Sequence, residues 1–590
     1  MTVDQKLGAL RASLASRGLD AFVIPSADPH HSEYFSPHWA ARAYFSGFTG
    51  SAGTLVVTMS ESGLWTDGRY FLQAERQLAG SEIRLFRDRE PDCPKLFDWL
   101  RDSLPSGSRV GLDGMLFSEK ELEDARGTLA EKGVTLVLDG SVVDENWPDR
   151  PAEVFTEAFE LDESVTGCPR SKKLAALREK LGENGADSAV IASLDSIAWL
   201  LDLRAADVHD NPVLAAFLYV AADGAVLFTE ASRIPADVAA HLAADGVSIL
   251  GYRGLPAFLE GLSAPSRVLC DPRLLSGSLF EAVRRNSALT PVCADDPVAA
   301  MKAVKNECEL RRQHEAYLKD GCALAEFFSE LDERLAAGET PTEYDLVAPL
   351  AQYRLEQSGS LGDSFNAIIA YRANAAVVHY SPESEGSAEV RPEGMLLVDS
   401  GGQYLDGTTD TTRTVALGPL TDEEKCGYTL VLKAHIALAS AVFPEGTTGR
   451  ALDTLARENL WKHGLNYRHG TGHGVGFLLN VHEGPHSFSV DLPLKEGMVI
   501  TVEPGYYEAG RYGVRIENVY HVVEACRTEY GRFLRFECFT VFPIDPACVE
   551  PSLLTPEESD WLKRYNRSSA ERLIPLVSGR AAAWLKKYLD

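Results

Sequence analysis

One stretch in the C-terminal half limits how this chain can fold more than any other: residues 396–414, LLVDSGGQYLDGTTDTTRT. It carries Asp399 and Asp410 among small and β-branched residues. Residues 395–398 predict a buried strand and residues 408–417 a second strand, with glycine-rich turn chemistry between them. Such a hairpin can bring both carboxylates to one point, although the sequence does not fix its register. An acidic residue beside a glycine is most often a turn former, so this stretch alone does not define a site.

Three further residues of metal-ligand type follow, each beside an apolar run typical of a strand. His473 lies in HGTGHGVG, Glu503 in TVEPGYY and Glu517 in GVRIENV. Four carboxylates and one imidazole form a hard, oxygen-rich set that suits manganese or a similar divalent ion. Two ions fit better than one, because a single cation would leave uncompensated negative charge in the interior.

The order Asp, Asp, His, Glu, Glu, with these flanking motifs, resembles the dinuclear metallopeptidases of the pita-bread fold. Within that group the chain resembles the aminopeptidase P family (Xaa-Pro aminopeptidases) of the long, three-domain type, and the resemblance covers nearly all of its length. It implies an α/β (α+β) fold in which two creatinase-like N-terminal α/β domains precede a pita-bread catalytic domain.

The resemblance also assigns the site residues. The implied metal ligands are Asp399, Asp410, His473, Glu503 and Glu517, with Asp410 and Glu517 bridging two divalent ions, most simply Mn²⁺. The implied catalytic residues are His379, His469, His482 and Glu503. The implied reaction is hydrolysis of an N-terminal Xaa-Pro bond by a hydroxide held between the two ions, with Glu503 as the general base.

At 590 residues the chain is too long for one core, and we expect three domains. The predicted segments are 1–159, 160–299 and 300–590, the last with a helical tail at 545–590. GLDAFVIPS at 18–26 is echoed by GADSAVIAS at 185–193, which favours an internal repeat of the first segment by the second. Neither of these segments contains a cluster of catalytic residue types. The catalytic segment is predicted to open with one long helix from Met301 to a stop at Gly338.

Composition excludes several partners. The net charge of −29 argues against nucleic acids and anionic membranes, since both attract basic surfaces. No apolar run has the length of a signal-peptide core at the N-terminus or of a bilayer span elsewhere. Ten cysteines are scattered without a CxxC pair, which indicates reduced thiols and a cytoplasmic location. The family resemblance adds a homodimer.

The family resemblance implies that the substrates are peptides with proline at the second position. Their scissile bond is a tertiary amide without an N–H, which general peptidases handle poorly. Three alternatives remain open at this point. An Xaa-Pro dipeptidase shares the ligands but typically has one N-terminal domain, and a methionine aminopeptidase does not need about 300 preceding residues. A metal-free binding module of the same fold would have lost ligands that are all present here.

Overall fold

The computed structural model describes residues 1–589, which form two compact units. The first comprises Met1–Leu161, Cys168–His209 and Val213–Val298, and the second comprises Asp162–Gly167, Asp210–Pro212 and the chain from Ala299 onward. The α-helices, in chain order, are α1 Val3–Arg17, α2 Ala41–Ser46, α3 Phe71–Gln77, α4 Leu96–Ser103, α5 Glu119–Ala130, α6 Ser141–Asn146, α7 Glu163–Thr166, α8 Arg170–Glu183, α9 Leu194–Leu201, α10 Ala236–Ala244, α11 Leu255–Gly261, α12 Gly277–Arg285, α13 Pro297–Ala303, α14 Glu307–Ala336, α15 Val347–Leu355, α16 Asp422–Ala439, α17 Gly449–Trp461, α18 Pro556–Leu573 and α19 Gly579–Leu585.

The first unit contains two six-stranded sheets. The strands of this unit are β1 Ala21–Pro25, β2 Thr54–Thr58, β3 Ser62–Thr66, β4 Ile83–Arg87, β5 Arg109–Leu112, β6 Thr135–Leu138, β7 Phe159–Glu160, β8 Ser188–Ile191, β9 Leu203–Arg204, β10 Phe217–Ala221, β11 Ala225–Phe228, β12 Val247–Leu250, β13 Ser266–Cys270 and β14 Leu289–Cys293. The sheet orders are β4-β3-β2-β1-β5-β6 and β12-β11-β10-β8-β13-β14.

These two sheets have the same topology. In each, the first strand is central, runs antiparallel to one neighbour (β2 or β10) and runs parallel to the other (β5 or β13). A helix precedes that strand in both cases, and α1 buries Leu7, Leu10 and Leu14, the apolar positions that predict it. This is the arrangement that an internal repeat of GLDAFVIPS by GADSAVIAS predicts.

The second unit contains the remaining strands. They are β15 Ser360–Asp363, β16 Ile368–Tyr371, β17 Met395–Ser400, β18 Gly402–Tyr404, β19 Gly407–Thr408, β20 Thr411–Ala416, β21 Val442–Pro444, β22 His473–Gly474, β23 Glu483–Ser487, β24 Val499–Val502, β25 Gly505–Glu508, β26 Tyr512–Arg515, β27 Asn518–Thr528 and β28 Gly531–Cys538. The largest sheet has the order β21-β28-β27-β24-β22-β23, and a three-stranded sheet has the order β16-β17-β20. The predicted mixed α/β class is confirmed.

The prediction of one long helix from Met301 to Gly338 is wrong at its start. The segment is divided into α13 and α14, and the side chain of Asn306 caps α14 by accepting the N–H groups of Cys308 and Glu309. The break places the Lys305 ammonium against the buried carboxylate of Glu483. Leaving a buried charge without a partner costs more free energy than interrupting the helix. The stop at Gly338 agrees with its left-handed φ of 85°.

The predicted hairpin is present, with a shorter second strand than expected. β17 and β20 are antiparallel, and Asp399 lies opposite Thr412. The second strand begins at Thr411 and not at residue 408, because residues 402–408 leave this sheet to pair with one another as β18 and β19. The C-terminal tail contains the two predicted helices, α18 and α19, and the Trp584 ring of α19 stacks on Phe328 of α14.

All ten cysteines lie within the described residues, and each is a free thiol. Among residues 1–589, no helix combines the length and the apolar character that crossing a membrane requires.

Candidate metal centre and active site

The hairpin formed by β17 and β20 places the two aspartates at the edge of a buried polar cluster. Asp399 is the penultimate residue of β17, and Asp410 directly precedes β20; their exposed fractions are 8% and 4%. The backbone N–H of Asp410 donates to the Tyr317 hydroxyl of α14 at 3.2 Å. The helix that packs behind the sheet therefore fixes the backbone at Asp410.

Glu503 and Glu517 flank a second hairpin. β25 and β26 pair from Gly505–Arg515 to Glu508–Tyr512, so Glu503 stands just before the hairpin and Glu517 just after it. The Thr412 hydroxyl donates to Glu517 Oε2 at 2.7 Å, and the Thr501 hydroxyl donates to Glu503 Oε1 at 3.2 Å. Threonines on the neighbouring strands therefore orient both carboxylates.

His473 is presented by the short strand β22 and not by a helix. Its Nδ1 lies 2.9 Å from the Gly474 carbonyl oxygen, which makes Nδ1 the protonated nitrogen. Its Nε2 then faces Asp410 Oδ2 at 3.6 Å and Glu503 Oε1 at 3.4 Å. This is the tautomer that a metal-binding histidine needs.

The five predicted ligands thus converge. The ligand atoms of Asp410, His473 and Glu517 lie within 4.8 Å of one another. Glu503 joins them through His473. Asp399 is close enough for its charge to raise the pKa of Asp410, Glu503 and Glu517.

The electrostatics of the cluster are those of a cation site. Burial, reinforced by the neighbouring carboxylates, raises the pKa of Asp410 and of Glu517 well above the ordinary range. Burial also raises the pKa of Glu503 to about 7. Asp399 Oδ1 is buried and has no hydrogen-bond partner among the described residues. A set of buried, mutually repelling oxygen ligands with an unsatisfied carboxylate oxygen fits divalent metal ions.

The three histidines expected to assist catalysis lie around this cluster. The His482 ring meets the His473 ring edge-on, with centroids 4.2 Å apart. His469 Nδ1 is 3.9 Å from Glu503 Oε2, and its Nε2 is 2.8 Å from the Tyr507 hydroxyl. His379 is half-buried in the turn after β16. The carbonyl of its neighbour Val378 accepts from Arg515 Nη2 at 3.3 Å.

Sequence reasoning missed two residues of the site, Arg515 and Tyr507. The Arg515 guanidinium is 2% exposed and donates to Asp399 Oδ2 from Nη2 at 2.5 Å and from Nε at 3.1 Å. Its Nη1 donates to the Tyr507 hydroxyl at 2.8 Å. Asp399, Arg515, Tyr507 and His469 therefore form one continuous chain of hydrogen bonds. Both missed residues lie inside quoted motifs, GVRIENV and EPGYY, which is the signal that could have identified them.

A third missed feature supports the His482 turn. Glu483, the next residue, is 3% exposed. Its carboxylate pairs with Lys305, and its Oε1 is 3.1 Å from the Lys302 ammonium. Two buried lysines from the segment around the α13–α14 break thus anchor the strand that follows His482.

Comparison with known proteins agrees with this geometry. Residues 312–524 match metallopeptidase family M24, residues 6–144 and 149–309 match creatinase/prolidase N-terminal domains, and residues 532–589 match the C-terminal region of peptidase M24. The fold and the site therefore define a metallopeptidase with two creatinase-type N-terminal domains. A divalent metal pair in the catalytic unit is consistent with all of these features.

Full-length relatives narrow the class. The chain is 41% identical to Aminopeptidase P2 of Arabidopsis thaliana, over 99% of this chain and 88% of that protein. It is 35% identical to Xaa-Pro aminopeptidase 1 of Dictyostelium discoideum, over 100% of this chain and 96% of that protein. The crystal structure of X-prolyl aminopeptidase from Caenorhabditis elegans, described as a cytosolic enzyme with a di-nuclear active site, superposes with a TM-score of 0.95 at 35% identity, over 100% of both chains. The chain belongs to the aminopeptidase P family, and the predicted class of activity, metal-dependent hydrolysis of N-terminal Xaa-Pro bonds, is confirmed.

Proposed function

We propose that this chain releases the first residue of peptides whose second residue is proline, using the cluster around Asp410 as its active site. The observation that supports this assignment is that the ligand atoms of Asp410, His473 and Glu517 lie within 4.8 Å of one another. Glu503 lies against His473, and burial together with the charge of Asp399 raises the pKa of Asp410. When two divalent ions are bound there, they lower the pKa of bound water towards neutrality and polarise the scissile carbonyl. We infer Mn²⁺ for both ions, because four carboxylates and one imidazole are predominantly hard donors.

Each side chain then has a defined task. Asp399, held by Arg515, would bind one ion, His473 and Glu503 the other, and Asp410 and Glu517 both. Glu503 is the candidate general base, because its Oε1 lies 3.4 Å from His473 Nε2 and its orientation is fixed by Thr501. Glu503 can then deliver that proton to the leaving proline nitrogen as the C–N bond breaks, because this nitrogen has no hydrogen of its own in the substrate.

The histidines are assigned to the substrate side of the cluster. We assign to His482, whose ring lies edge-on to His473, the donation of a hydrogen bond to the carbonyl oxygen as negative charge develops on it. We assign a related role to His379. His469 is a positioning residue in this scheme, since it is hydrogen-bonded to the Tyr507 hydroxyl through Nε2 and to the Gly470 carbonyl through Nδ1. Such hydrogen bonds are strongest in a site from which water is excluded.

Further proposals concern the whole molecule. We propose that segments 1–159, 160–299 and 300–590 are separate domains, in support of which each of the first two contains a complete six-stranded sheet. We propose a cytoplasmic location, supported by ten free thiols. A homodimer is proposed from family resemblance, and the molar mass from light scattering tests it.

Hydrolysis of Arg-Pro-Pro and Gly-Pro, measured side by side with added Mn²⁺ and then with a chelator, tests the proposed function. We expect release of arginine from the tripeptide, loss of that activity on chelation and its return with Mn²⁺. Arg-Ala-Ala is the matched control for proline and is expected to be stable. Cleavage of Gly-Pro alone would indicate a dipeptidase, and stability of every peptide with each of Mn²⁺, Co²⁺ and Zn²⁺ would indicate a binding module.

A further inference from the structure

A second group of metal-ligand residues lies in the catalytic unit, apart from the cluster around Asp410. It consists of His314 on α14, His521 on β27 and Glu537 on β28, whose ligand atoms all lie within 4.8 Å of one another. His521 and Glu537 are direct cross-strand partners, so their side chains project from the same face of the sheet. The ring of His314 meets that of His521 from the helix, with centroids 5.6 Å apart. Three elements thus bring one donor each to one point.

The hydrogen bonding of His521 is unusual for a buried histidine. The residue is 7% exposed, and neither of its ring nitrogens has a hydrogen-bond partner within residues 1–589. The ring stacks on Phe539, with centroids 4.6 Å apart, which holds it in one orientation. A buried polar group without a partner is costly, and native structures rarely contain one without a reason.

Another buried histidine in the same unit provides the contrast. His435 places Nδ1 3.2 Å from the Ile516 carbonyl oxygen and Nε2 2.8 Å from the Tyr520 hydroxyl. Both of its nitrogens are used by the protein, whereas both nitrogens of His521 are left for something else. His521 therefore differs from a structural histidine in its contacts and not in its burial.

The charges around the group permit a cation. Burial lowers the pKa of His521 to about 4 and lowers that of His314, so both rings are neutral near pH 7, which is the form that binds metals. Glu537 supplies the negative charge and is exposed, which gives an ion a path from solvent. The other charged groups that act on these histidines are Glu315, Glu496, Arg535 and Arg572. Arg535 donates to Glu537 at 3.2 Å, so an ion must share that carboxylate with it.

We propose that His314, His521 and Glu537 form an additional metal site that binds a zinc-like transition ion and fastens α14 to the β27–β28 hairpin. Two imidazoles and one carboxylate are a donor set typical of zinc, with the fourth position left to water. This set is softer than the carboxylate-rich cluster around Asp410, so the two sites prefer different ions. Tyr317, one turn along α14 from His314, contacts the Asp410 backbone, so the proposed ion would stiffen the helix that supports the active site.

Metal content tests this proposal independently of catalysis. Untagged wild-type protein with its dinuclear centre loaded with Mn²⁺ is dialysed against a low concentration of ZnCl₂, and total manganese plus zinc per chain is measured by elemental analysis. Counting both metals together removes the effect of exchange in the dinuclear centre. We expect His314→Ala to bind one equivalent less than wild type while its cleavage of Arg-Pro-Pro is unchanged. His463→Ala is the matched control, because His463 is exposed and lies outside both groups.

Thermal unfolding provides a second measurement. Zinc should raise the Tm of the manganese-loaded wild type and of His463→Ala, and should raise that of His314→Ala and Glu537→Gln much less, since binding to the native state alone shifts stability by mass action. Equal metal content and equal Tm shifts in wild type and His314→Ala would overturn the proposal. Glu537→Gln keeps the proposal testable if His314→Ala folds poorly, because Glu537 is on the surface.

Discussion

Two buried acidic regions of the catalytic unit lie near each other along the chain and have opposite electrostatic designs. The carboxylate of Glu483 is neutralised by the chain itself, through Lys302 and Lys305. The cluster around Asp410 gathers four carboxylates, of which Asp399 is paired with Arg515. The charge of Glu483 is balanced without any ligand, so the first arrangement is structural. The second has more negative charge than it has cations, so it is built for ions from solution.

Removing a carboxylate from the second region should have the largest effect on activity. Asp410→Ala is expected to lower kcat/KM for Arg-Pro-Pro by about 10³-fold or more, because a metal pair contributes several kcal/mol to the transition state. The fold should persist, since the variant reduces repulsion between buried carboxylates. Circular dichroism and kcat/KM measure the two effects, and activity near wild type would exclude the assignment of this site.

Removing the carboxylate from the first region should instead affect folding. Glu483→Gln leaves two buried lysines without a counter-charge, which costs about 3–5 kcal/mol of unfolding free energy. Urea denaturation of Glu483→Gln and of Glu385→Gln, an exposed control, measures the difference. If both variants were as stable as wild type, the pairing of Glu483 with the two lysines would not stabilise the fold.

Removal of metal should destabilise the protein through the second region, around Asp410, and not through the first, around Glu483. Ions at 100 times their Kd stabilise the native state by about 2.7 kcal/mol, and chelation removes this contribution. In the chelated protein, the pKa of Glu503 rises from 4.5 unfolded to about 7 folded, so its contribution to stability is present below pH 4.5 and is lost as pH rises to 7. The Tm difference between loaded and chelated protein should therefore widen between pH 5 and pH 7. A pH-independent difference would contradict this account.

Changing the arginine that holds Asp399 should have an intermediate effect on activity. Arg515→Lys keeps the charge but loses the guanidinium that contacts both Asp399 and Tyr507. We expect a fall of about 10–100-fold in metal affinity or kcat/KM, the usual effect of losing a group that orients a ligand. Metal titrations of Arg515→Lys and of Arg511→Lys, whose arginine pairs with Glu423 on the surface, separate this effect from a general one. Equal affinities in both variants would remove Arg515 from the site.

The smallest expected effect is that of the hydroxyl of Tyr507. Tyr507→Phe deletes one link between Arg515 and His469 and should cost about 1 kcal/mol, or roughly fivefold in kcat/KM. Tyr506→Phe is the control, because the hydroxyl of Tyr506, the residue before Tyr507, donates to Glu508 instead. A loss above 100-fold in Tyr507→Phe would indicate direct contact with the substrate.

The sequence by itself determined much of this protein. The strand that carries Asp399 and the strands that flank Asp410 and Glu517 follow from apolar and β-branched runs, and the hairpins follow from glycine-containing turns. Both are local signals, because strand pattern and turn chemistry depend on neighbouring residues. The family was identified, and the five candidate ligands were predicted, from motifs of the same local kind.

Only the tertiary structure decided which residues that are far apart in sequence are buried against one another. Lys305 meets Glu483 across 178 positions of sequence, and this pairing breaks a helix that the local pattern continues. Arg515 meets Asp399 across 116 positions, and nothing near either residue indicates the other. His314, His521 and Glu537 have no motif at all. The free energy of a buried charge or an unpaired nitrogen depends on what packs against it, and that is fixed by the chain's path through space and not by its neighbours in sequence.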